Sequence, residues 1–193
     1  MITVAIEDGS LPPINKRKGR TLLIGVRLVN LQLNNVVCKS ISIDGLDATD
    51  KAIEIVEKLL PLDVVLLDGI SFAGFNIIDA ERLWYETGRP VIIVTKKKPS
   101  KEDVLSALIK HFEDWKLRWG IIEKIMKISK GIHPVRIRMD KGKPIYIEVV
   151  GITIHSAKDI LKRLTVWGRT PEPLRVAKII ARGLSSAYFK FRE

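Results

Sequence analysis

The stretch Val64-Val65-Leu66-Leu67-Asp68-Gly69 is a short apolar run that ends on an acid followed by glycine. The same pattern occurs at Val4-Ala5-Ile6-Glu7-Asp8-Gly9 and at Ile41-Ser42-Ile43-Asp44-Gly45. Each run is rich in β-branched residues and is bounded by turn-forming residues, which predicts a buried central strand. The fold is therefore expected to be built around three strands that end on carboxylates.

The acids at the ends of these strands are candidate metal ligands. In an α/β sheet, ligands bind beyond the carboxyl ends of the strands. Carboxylates that meet at one edge repel one another, and a divalent cation removes that repulsion. Mg²⁺ is a cation that carboxylate oxygens commonly bind. The pattern therefore predicts metal-dependent chemistry on a phosphate group.

Helix capping is the competing interpretation of an acid that follows a strand. Asp47 stands just before an apolar-periodic helix and is predicted to be its N-cap. For Asp68, capping and metal binding remain equal alternatives, because a loop follows it. Capping does not explain Glu7 and Asp8, since the basic loop at residues 9–20 follows them instead of a helix.

The order of the elements predicts an α/β fold with a mixed sheet. Three opening strands form an antiparallel meander, with a turn near Asn34 and Asn35 in the segment 30–35. The elements expected next are a helix at 46–60, a strand at 63–68, a helix at 75–87, a strand at 91–95, helices from 100 and from 113, a hairpin at 136–149, and helices from 156 and 170. A meander followed by helix-linked parallel strands is the order of a ribonuclease H-like sheet.

Length and composition indicate a single domain over residues 1–193 with a sizeable core. No apolar run approaches the roughly 20 residues that a membrane span needs, and no signal-peptide pattern opens the chain. A cytoplasmic protein without a membrane partner is therefore expected. Cys38 is the only cysteine and is predicted to pack in the core. The three histidines share no ligand spacing.

The net charge of +11 is unevenly distributed along the chain. Residues 1–95 contain 10 Lys or Arg and 12 Asp or Glu, whereas residues 96–193 contain 23 and 10. The candidate ligands thus lie in a slightly acidic half, and the other half carries the positive charge. A basic surface beside an acidic site is typical of a nuclease, because contacts to phosphates provide affinity without reading sequence.

Basic residues that suit phosphate contact fall in two places. Lys96, Lys97 and Lys98 follow the strand at 91–95. Three more cations, Arg175, Lys178 and Arg182, lie three to four residues apart on the last predicted helix. A solvated helix face is the common alternative for such a spacing.

Five segments recur, in order, in a known family: 5–9, 43–49, 67–79, 94–99 and 171–177. Together they resemble the small archaeal endonuclease dU family, which is related to endonuclease V within the ribonuclease H-like fold. The resemblance spans nearly the whole chain. It implies a DNA-repair endonuclease that depends on Mg²⁺, with Mn²⁺ as an alternative, and that cleaves DNA beside deaminated bases such as deoxyuridine.

The resemblance also implies site residues. Glu7 lies where relatives have the first aspartate of an Asp-Asp pair, and Asp68 lies on an Asp-Gly that supplies a metal ligand in endonuclease V. Asp44, or else Asp47, lies near that enzyme's middle glutamate. There are two departures. Glu7 is longer by one methylene, which makes Asp8 a rival ligand, and the Tyr-x-Pro-Gly wedge that separates strands has no counterpart.

The resulting hypothesis is in-line hydrolysis of a phosphodiester by water. Glu7 or Asp8, together with Asp44 and Asp68, would hold one or two metal ions at the scissile phosphate. The backbone from Gly69 to Gly74 would approach a flipped or distorted nucleotide, and the six basic residues would grip the flanking phosphates.

Two alternatives remain open. A nucleic-acid-binding protein of the same fold with weak or no turnover is favoured by the replacement at Glu7. A nucleotide-binding domain that uses the loop at 69–74 is disfavoured, because that loop has neither the Walker lysine nor a Gly-x-Gly-x-x-Gly pattern.

Overall fold

The computed structural model describes residues 1–11, 19–137 and 142–190, with the backbone alone at 186–190. Its strands are β1 (Ile2–Asp8), β2 (Arg20–Val29), β3 (Gln32–Ser42), β4 (Val64–Asp68), β5 (Ser71–Phe72), β6 (Asn76–Ile77), β7 (Val91–Thr95), β8 (His133–Val135) and β9 (Ile145–Val150). Its helices are α1 (Ala48–Lys58), α2 (Ala80–Thr87), α3 (Lys101–His111), α4 (Trp115–Ile128), α5 (Ile154–Leu164) and α6 (Glu172–Lys190).

A mixed sheet of seven strands lies at the centre, in the order β3-β2-β1-β4-β7-β9-β8. The first three strands pair antiparallel, which confirms the predicted meander. β1, β4 and β7 are parallel neighbours, so their carboxyl ends share one edge of the sheet. β9 pairs antiparallel with both β7 and β8. The predicted mixed α/β sheet is therefore confirmed.

The turn between β2 and β3 lies earlier than the sequence predicts. Asn30 and Leu31 form it, both with positive φ (49° and 69°), a geometry that matches the twist of the paired strands. Asn34 and Asn35 lie within β3 instead. The predicted burial of Cys38 is also wrong, because β3 is an edge strand and Cys38 is exposed on it.

Helix α2 begins five residues later than predicted, at Ala80. The side chain of Asp79 accepts hydrogen bonds from the backbone of Glu81 and Arg82, so it caps α2 and fixes its start. The residues before Asp79, predicted to be helical, form the β5–β6 hairpin. Helix α1 ends earlier than the predicted residue 60: its C-cap Leu59 is 1% exposed and packs in the core, whereas Leu60 is 41% exposed.

Two predicted segments lie partly outside the described residues. They are the basic loop at 9–20 and the turn of the hairpin at 136–149. The strand that pairs antiparallel with β9 is β8 (His133–Val135), so the first strand lies before the predicted hairpin at 136–149.

Helices cover both faces of the sheet. Apolar side chains of α1 and α2 pack on one face, and those of α5 and α6 pack on the other. A smaller cluster joins α3 and α4 to Ile77 of the hairpin. Among the described residues, no helix has both the length and the apolar character to cross a membrane.

Candidate active site

Glu7 and Asp68 lie side by side at the carboxyl edge of the sheet. In the parallel pair β1–β4, Ile6 is opposite Leu67, and the next residue on each strand is one of these acids. Side chains alternate along a strand, so both acids lie on the face that α6 covers. The structure thus brings these two candidates together. Asp68 does not cap a helix, because a loop and the β5–β6 hairpin follow it.

Lys178 of α6 lies between these two carboxylates. Its Nζ is 2.8 Å from Asp68 Oδ2 and 3.0 Å from Glu7 Oε1. Packing of α6 against β1 and β2 brings the ammonium to this position. The charge of Lys178 is engaged by the acidic pair in this arrangement, and its contact with a phosphate stays a prediction.

The single positive charge of Lys178 does not balance the negative charge around Glu7 and Asp68. Burial, together with the charge of Asp68, raises the pKa of Glu7 to about 8, although Lys178 acts in the opposite direction. Burial also raises the pKa of Asp8. Burial lowers the pKa of Lys178, but its bonds to Asp68 and Glu7 outweigh burial and raise that pKa above its usual value. One ammonium therefore does not compensate the three carboxyls around it.

Asp8 lies beside this pair but faces the other way. Because side chains alternate along β1, the carboxylate of Asp8 lies on the opposite face from Glu7. Its Oδ2 accepts a hydrogen bond of 2.5 Å from the backbone N–H of Ala73. Asp8 thus attaches the β5–β6 hairpin to the end of β1.

Asp44 is held away from the pair. Its Oδ1 accepts a hydrogen bond of 2.8 Å from the backbone N–H of Phe75, and its φ is 56°. Arg118 of α4 donates to the backbone carbonyls of both Asp44 and Phe75, at 3.0 and 2.6 Å. Gly74 must lack a side chain here, since a Cβ would lie 2.2 Å from Asp44 Oδ1.

The predicted cage of Glu7, Asp44 and Asp68 is therefore not formed. Within residues 1–11, 19–137 and 142–190, no group of three or more His, Cys, Asp or Glu is arranged to hold a metal ion. The sheet order explains this result. β3, which leads to Asp44, is separated from β1 by β2, and two strand spacings amount to roughly 10 Å.

Asp47 stands at the N-cap position of α1, but its side chain makes no capping bond. Its carboxylate instead accepts hydrogen bonds from Ser42 and Asn76 and pairs with Arg20. These bonds lower its pKa despite partial burial. The predicted position is right, and the predicted bond is wrong, because nearby donors compete with the helix N-terminus.

The other basic candidates differ in their surroundings. Lys96, Lys97 and Lys98 are exposed and follow β7, at the same sheet edge as Asp68. Arg175 is ion-paired with Glu172 on α6. Arg182 is exposed. The three cations of α6 thus differ in their partners, and their role in phosphate binding stays a prediction.

Gly69 and Gly74 bound the loop and hairpin that follow Asp68. Both have positive φ, 88° and 87°, which favours glycine. A Cβ on Gly69 would meet nothing within 4 Å, so the backbone is open there.

Two residues escaped the sequence analysis. Arg118, only 4% exposed, joins the backbone around Asp44 to the hairpin. Glu148 is a buried acid in β9. A signal existed for Glu148, because it is an acid inside the apolar run Ile145–Val150. Nothing local distinguished Arg118 from the other cations on an amphipathic helix.

Comparison with known proteins agrees with this architecture. The family profile described as endonuclease dU matches residues 1–185. A UPF0215 protein of Thermococcus gammatolerans is 36% identical over 182 residues, which cover 92% of this chain and 89% of that protein. A crystal structure of a protein of unknown function from Archaeoglobus fulgidus is 30% identical, with a TM-score of 0.79 and coverage of 95% and 97% of the two chains.

The endonuclease V of Ciona intestinalis, solved in complex with an inosine-containing DNA, has the same fold. Its TM-score is 0.59 at 16% identity, with coverage of 100% of this chain and 87% of that one. The seven-stranded mixed sheet thus has the ribonuclease H-like fold of endonuclease V. With the profile match over nearly its whole length, this chain belongs to the endonuclease dU family.

Proposed function

We propose that this protein is a metal-dependent endonuclease that cleaves a phosphodiester beside a deaminated base, such as deoxyuridine, in DNA. The observation that carries the proposal is the adjacent pair at the carboxyl edge of the sheet, formed by the buried Glu7 and the half-buried Asp68. Family membership and the fold shared with an endonuclease V bound to DNA support a nuclease acting on DNA.

The donor set fits Mg²⁺ or Mn²⁺. Mg²⁺ is usually held by one or two carboxylates, with waters and substrate phosphates completing its coordination. Glu7 and Asp68 supply two such carboxylates, and the raised pKa of Glu7 indicates that this place favours added positive charge. These two residues would hold the ion, whereas Asp8 and Asp44 position the hairpin beside it.

When bound, the ion would neutralise the scissile phosphate and make water a stronger nucleophile. Lys178 has to release at least one carboxylate for this, and its ammonium is then available to a phosphate oxygen. The exposed Lys96, Lys97 and Lys98 would bind flanking phosphates along the same edge.

A second candidate is a DNA-binding protein without turnover. The contact of Lys178 with both carboxylates favours it, because the ammonium already fills the role of a counter-cation. The DNA affinity of such a protein would respond to salt and hardly to Mg²⁺.

Two substitutions at the pair test the proposal. Asp68→Asn removes a ligand and is expected to reduce Mg²⁺-dependent cleavage more than about 100-fold, since changes in outer-sphere partners alone cost about 10–100-fold. Lys178→Met removes the competing ammonium and is expected to raise the affinity for Mn²⁺ in calorimetric titration. The cleavage assays use oligonucleotides that carry deoxyuridine, deoxyinosine, an abasic site or normal bases. Each assay is run with and without the metal ion.

The control is Asp159→Asn on α5, which removes a carboxylate outside the site and is expected to change neither activity nor metal affinity. Circular dichroism and DNA binding check that Asp68→Asn is folded. Cleavage by Asp68→Asn at the wild-type rate would contradict the proposal. Absence of metal-dependent cleavage by the wild-type protein would favour the second candidate.

A further inference from the structure

A cavity of about 230 Å³ opens at the carboxyl edge of the sheet, on the opposite face from the side chains of Glu7 and Asp68. Its wall begins at Gly69, the residue after Asp68, and continues over Thr95 and the start of α3 to α4. The lining is mainly apolar, from Ile70, Val104, Trp119, Ile122, Met126 and Ile132. Such a pocket, apolar with a few polar groups, is typical of a site for a small organic group.

Glu148 supplies the carboxyl group of this cavity. It projects from β9, and the residue is 8% exposed. In the part of the chain that the structure describes, its carboxyl has no hydrogen bond or ion pair, and Lys101 is the cation that affects its charge. Burial raises its pKa to about 7. The carboxyl is thus an open hydrogen-bond acceptor in the wall of the cavity, which suits a ligand that carries a donor.

We propose that this cavity receives the extruded nucleobase and that Glu148 binds a ring N–H on its Watson–Crick edge. The inference deepens the proposed function and rests on it. The apolar walls and Trp119 suit the faces of a planar heterocycle, and the carboxyl suits its polar edge. A phosphate does not fit, because a carboxylate would repel it.

The chemistry of Glu148 favours deaminated bases over their parents. At pH 8, above its pKa of about 7, the carboxyl of Glu148 is ionised and only accepts hydrogen bonds, so base binding is compared at that pH. Uracil and hypoxanthine carry a ring N–H that donates to it. Cytosine and adenine carry a ring nitrogen lone pair at the same position, which the carboxylate repels. Glu148 thus acts as a specificity-determining residue for uracil over cytosine and for hypoxanthine over adenine.

The place of the cavity suits a base that leaves the helix beside the scissile phosphate. Gly69 separates the cavity from Asp68, and a Cβ there would meet nothing within 4 Å, so this rim is open. Lys101 lies at the rim, and Lys96, Lys97 and Lys98 follow the same strand end. These cations suit the phosphates on either side of the extruded nucleotide.

The test measures binding without cleavage. Fluorescence anisotropy in EDTA compares single-stranded and duplex oligonucleotides that carry one deoxyuridine, one deoxycytidine or one abasic analogue at the same position. The wild-type protein is expected to bind the deoxyuridine strand most tightly. Glu148→Leu is expected to lose about 10- to 100-fold of that affinity, the usual effect of a hydrogen bond to a charged group, and to bind the abasic strand as before.

Glu148→Gln keeps the shape of the side chain, and its amide N–H can donate to the cytosine ring nitrogen. The ratio of the affinities for the deoxyuridine and deoxycytidine strands is therefore expected to be smaller than in the wild-type protein. Glu113→Gln, at an exposed site between α3 and α4, is the control and is expected to keep the wild-type ratio. The inference would be overturned if Glu148→Leu lost equal affinity for the deoxyuridine and abasic strands. An unchanged ratio of deoxyuridine to deoxycytidine affinity in Glu148→Gln would overturn it as well.

The design separates this inference from the proposed function. A protein that cuts no substrate but shows base-selective binding that depends on Glu148 supports the cavity and refutes the nuclease. A protein that cuts beside deoxyuridine, with a Glu148→Gln variant of unchanged base preference, refutes the cavity and leaves the nuclease intact.

Discussion

At the scale of single residues, two buried glutamates have different neighbours. Glu7 shares its surroundings with Asp68 and Lys178, so its charge is partly compensated. Glu148 has only the more distant influence of Lys101. Both pKa values are raised by burial, but only the charge of Glu148 lacks a direct partner among the described residues. Glu148 therefore offers the simpler test of how burial couples to stability.

Glu148→Gln is expected to flatten the pH dependence of stability. The folded-state pKa of Glu148 is about 7, above the ordinary 4.5, so the folded protein retains a proton that the unfolded chain releases. The free energy of unfolding therefore falls as the pH rises from 4.5 through 7, by on the order of 3 kcal/mol at most. Urea denaturation at pH 5, 6, 7 and 8 measures this loss.

The amide of Glu148→Gln does not titrate, so its stability relative to the wild-type protein should rise over that window. Glu113→Gln removes an exposed carboxyl and should parallel the wild-type curve. Parallel curves for wild type and Glu148→Gln would contradict the assigned burial of this carboxyl.

At the scale of elements, the β5–β6 hairpin organises the edge of the sheet. Asp8 binds its backbone from β1, Asp44 binds it from the end of β3, and Arg118 binds it from α4. Three elements that are distant in sequence thus meet on one short hairpin. This explains why two of the four predicted acids serve structure in this arrangement.

Gly74→Ala is expected to destabilise the protein more than Gly69→Ala. Both glycines have positive φ, so each alanine costs about 1–2 kcal/mol through its backbone. Only at Gly74 does the new Cβ collide with Asp44, at 2.2 Å from its Oδ1. Thermal or urea denaturation measures both costs, and Gly69→Ala is the matched control.

An Asp44→Ala background isolates the collision. There the cost of Gly74→Ala should fall to about that of Gly69→Ala, and the double-mutant cycle gives the coupling between the two positions. Equal costs of Gly74→Ala with and without Asp44 would show that the loop adjusts freely.

At the scale of the whole molecule, positive charge accumulates after residue 95. Residues 96–193 contain 23 Lys or Arg against 10 Asp or Glu, and Lys96, Lys97 and Lys98 lie at the edge that carries the acidic pair. Lys58 lies outside this region, because α1 begins near that edge and Lys58 is at its other end. The three lysines thus place positive charge at the edge where a polyanion would contact the acidic pair.

Replacing Lys96, Lys97 and Lys98 by glutamine is expected to weaken DNA binding and its salt dependence together. Each lost phosphate contact should lower the slope of log affinity against log salt by about 0.7 to 0.9. Anisotropy titrations between low and moderate salt measure the slope. Lys58→Gln should leave it unchanged, and an unchanged slope in the triple variant would place the DNA elsewhere.

The sequence by itself determined the central strands, their acids and the mixed sheet. Apolar runs and turn residues act within a few residues, so local patterns predict the strands, whereas the Asp79 cap that starts α2 was missed. The adjacency of Glu7 and Asp68 also followed, because parallel neighbours end at the same edge.

Only the tertiary structure decided what surrounds those acids. Lys178 reaches Asp68 across 110 residues of sequence, and the sheet order keeps Asp44 two strands away from Glu7. The cavity at Glu148 draws its wall from the loop after β4, from β5 and β7, and from α3, α4 and β9. Such contacts depend on how whole elements pack, and the free energy that selects them comes from the buried core and not from any local pattern.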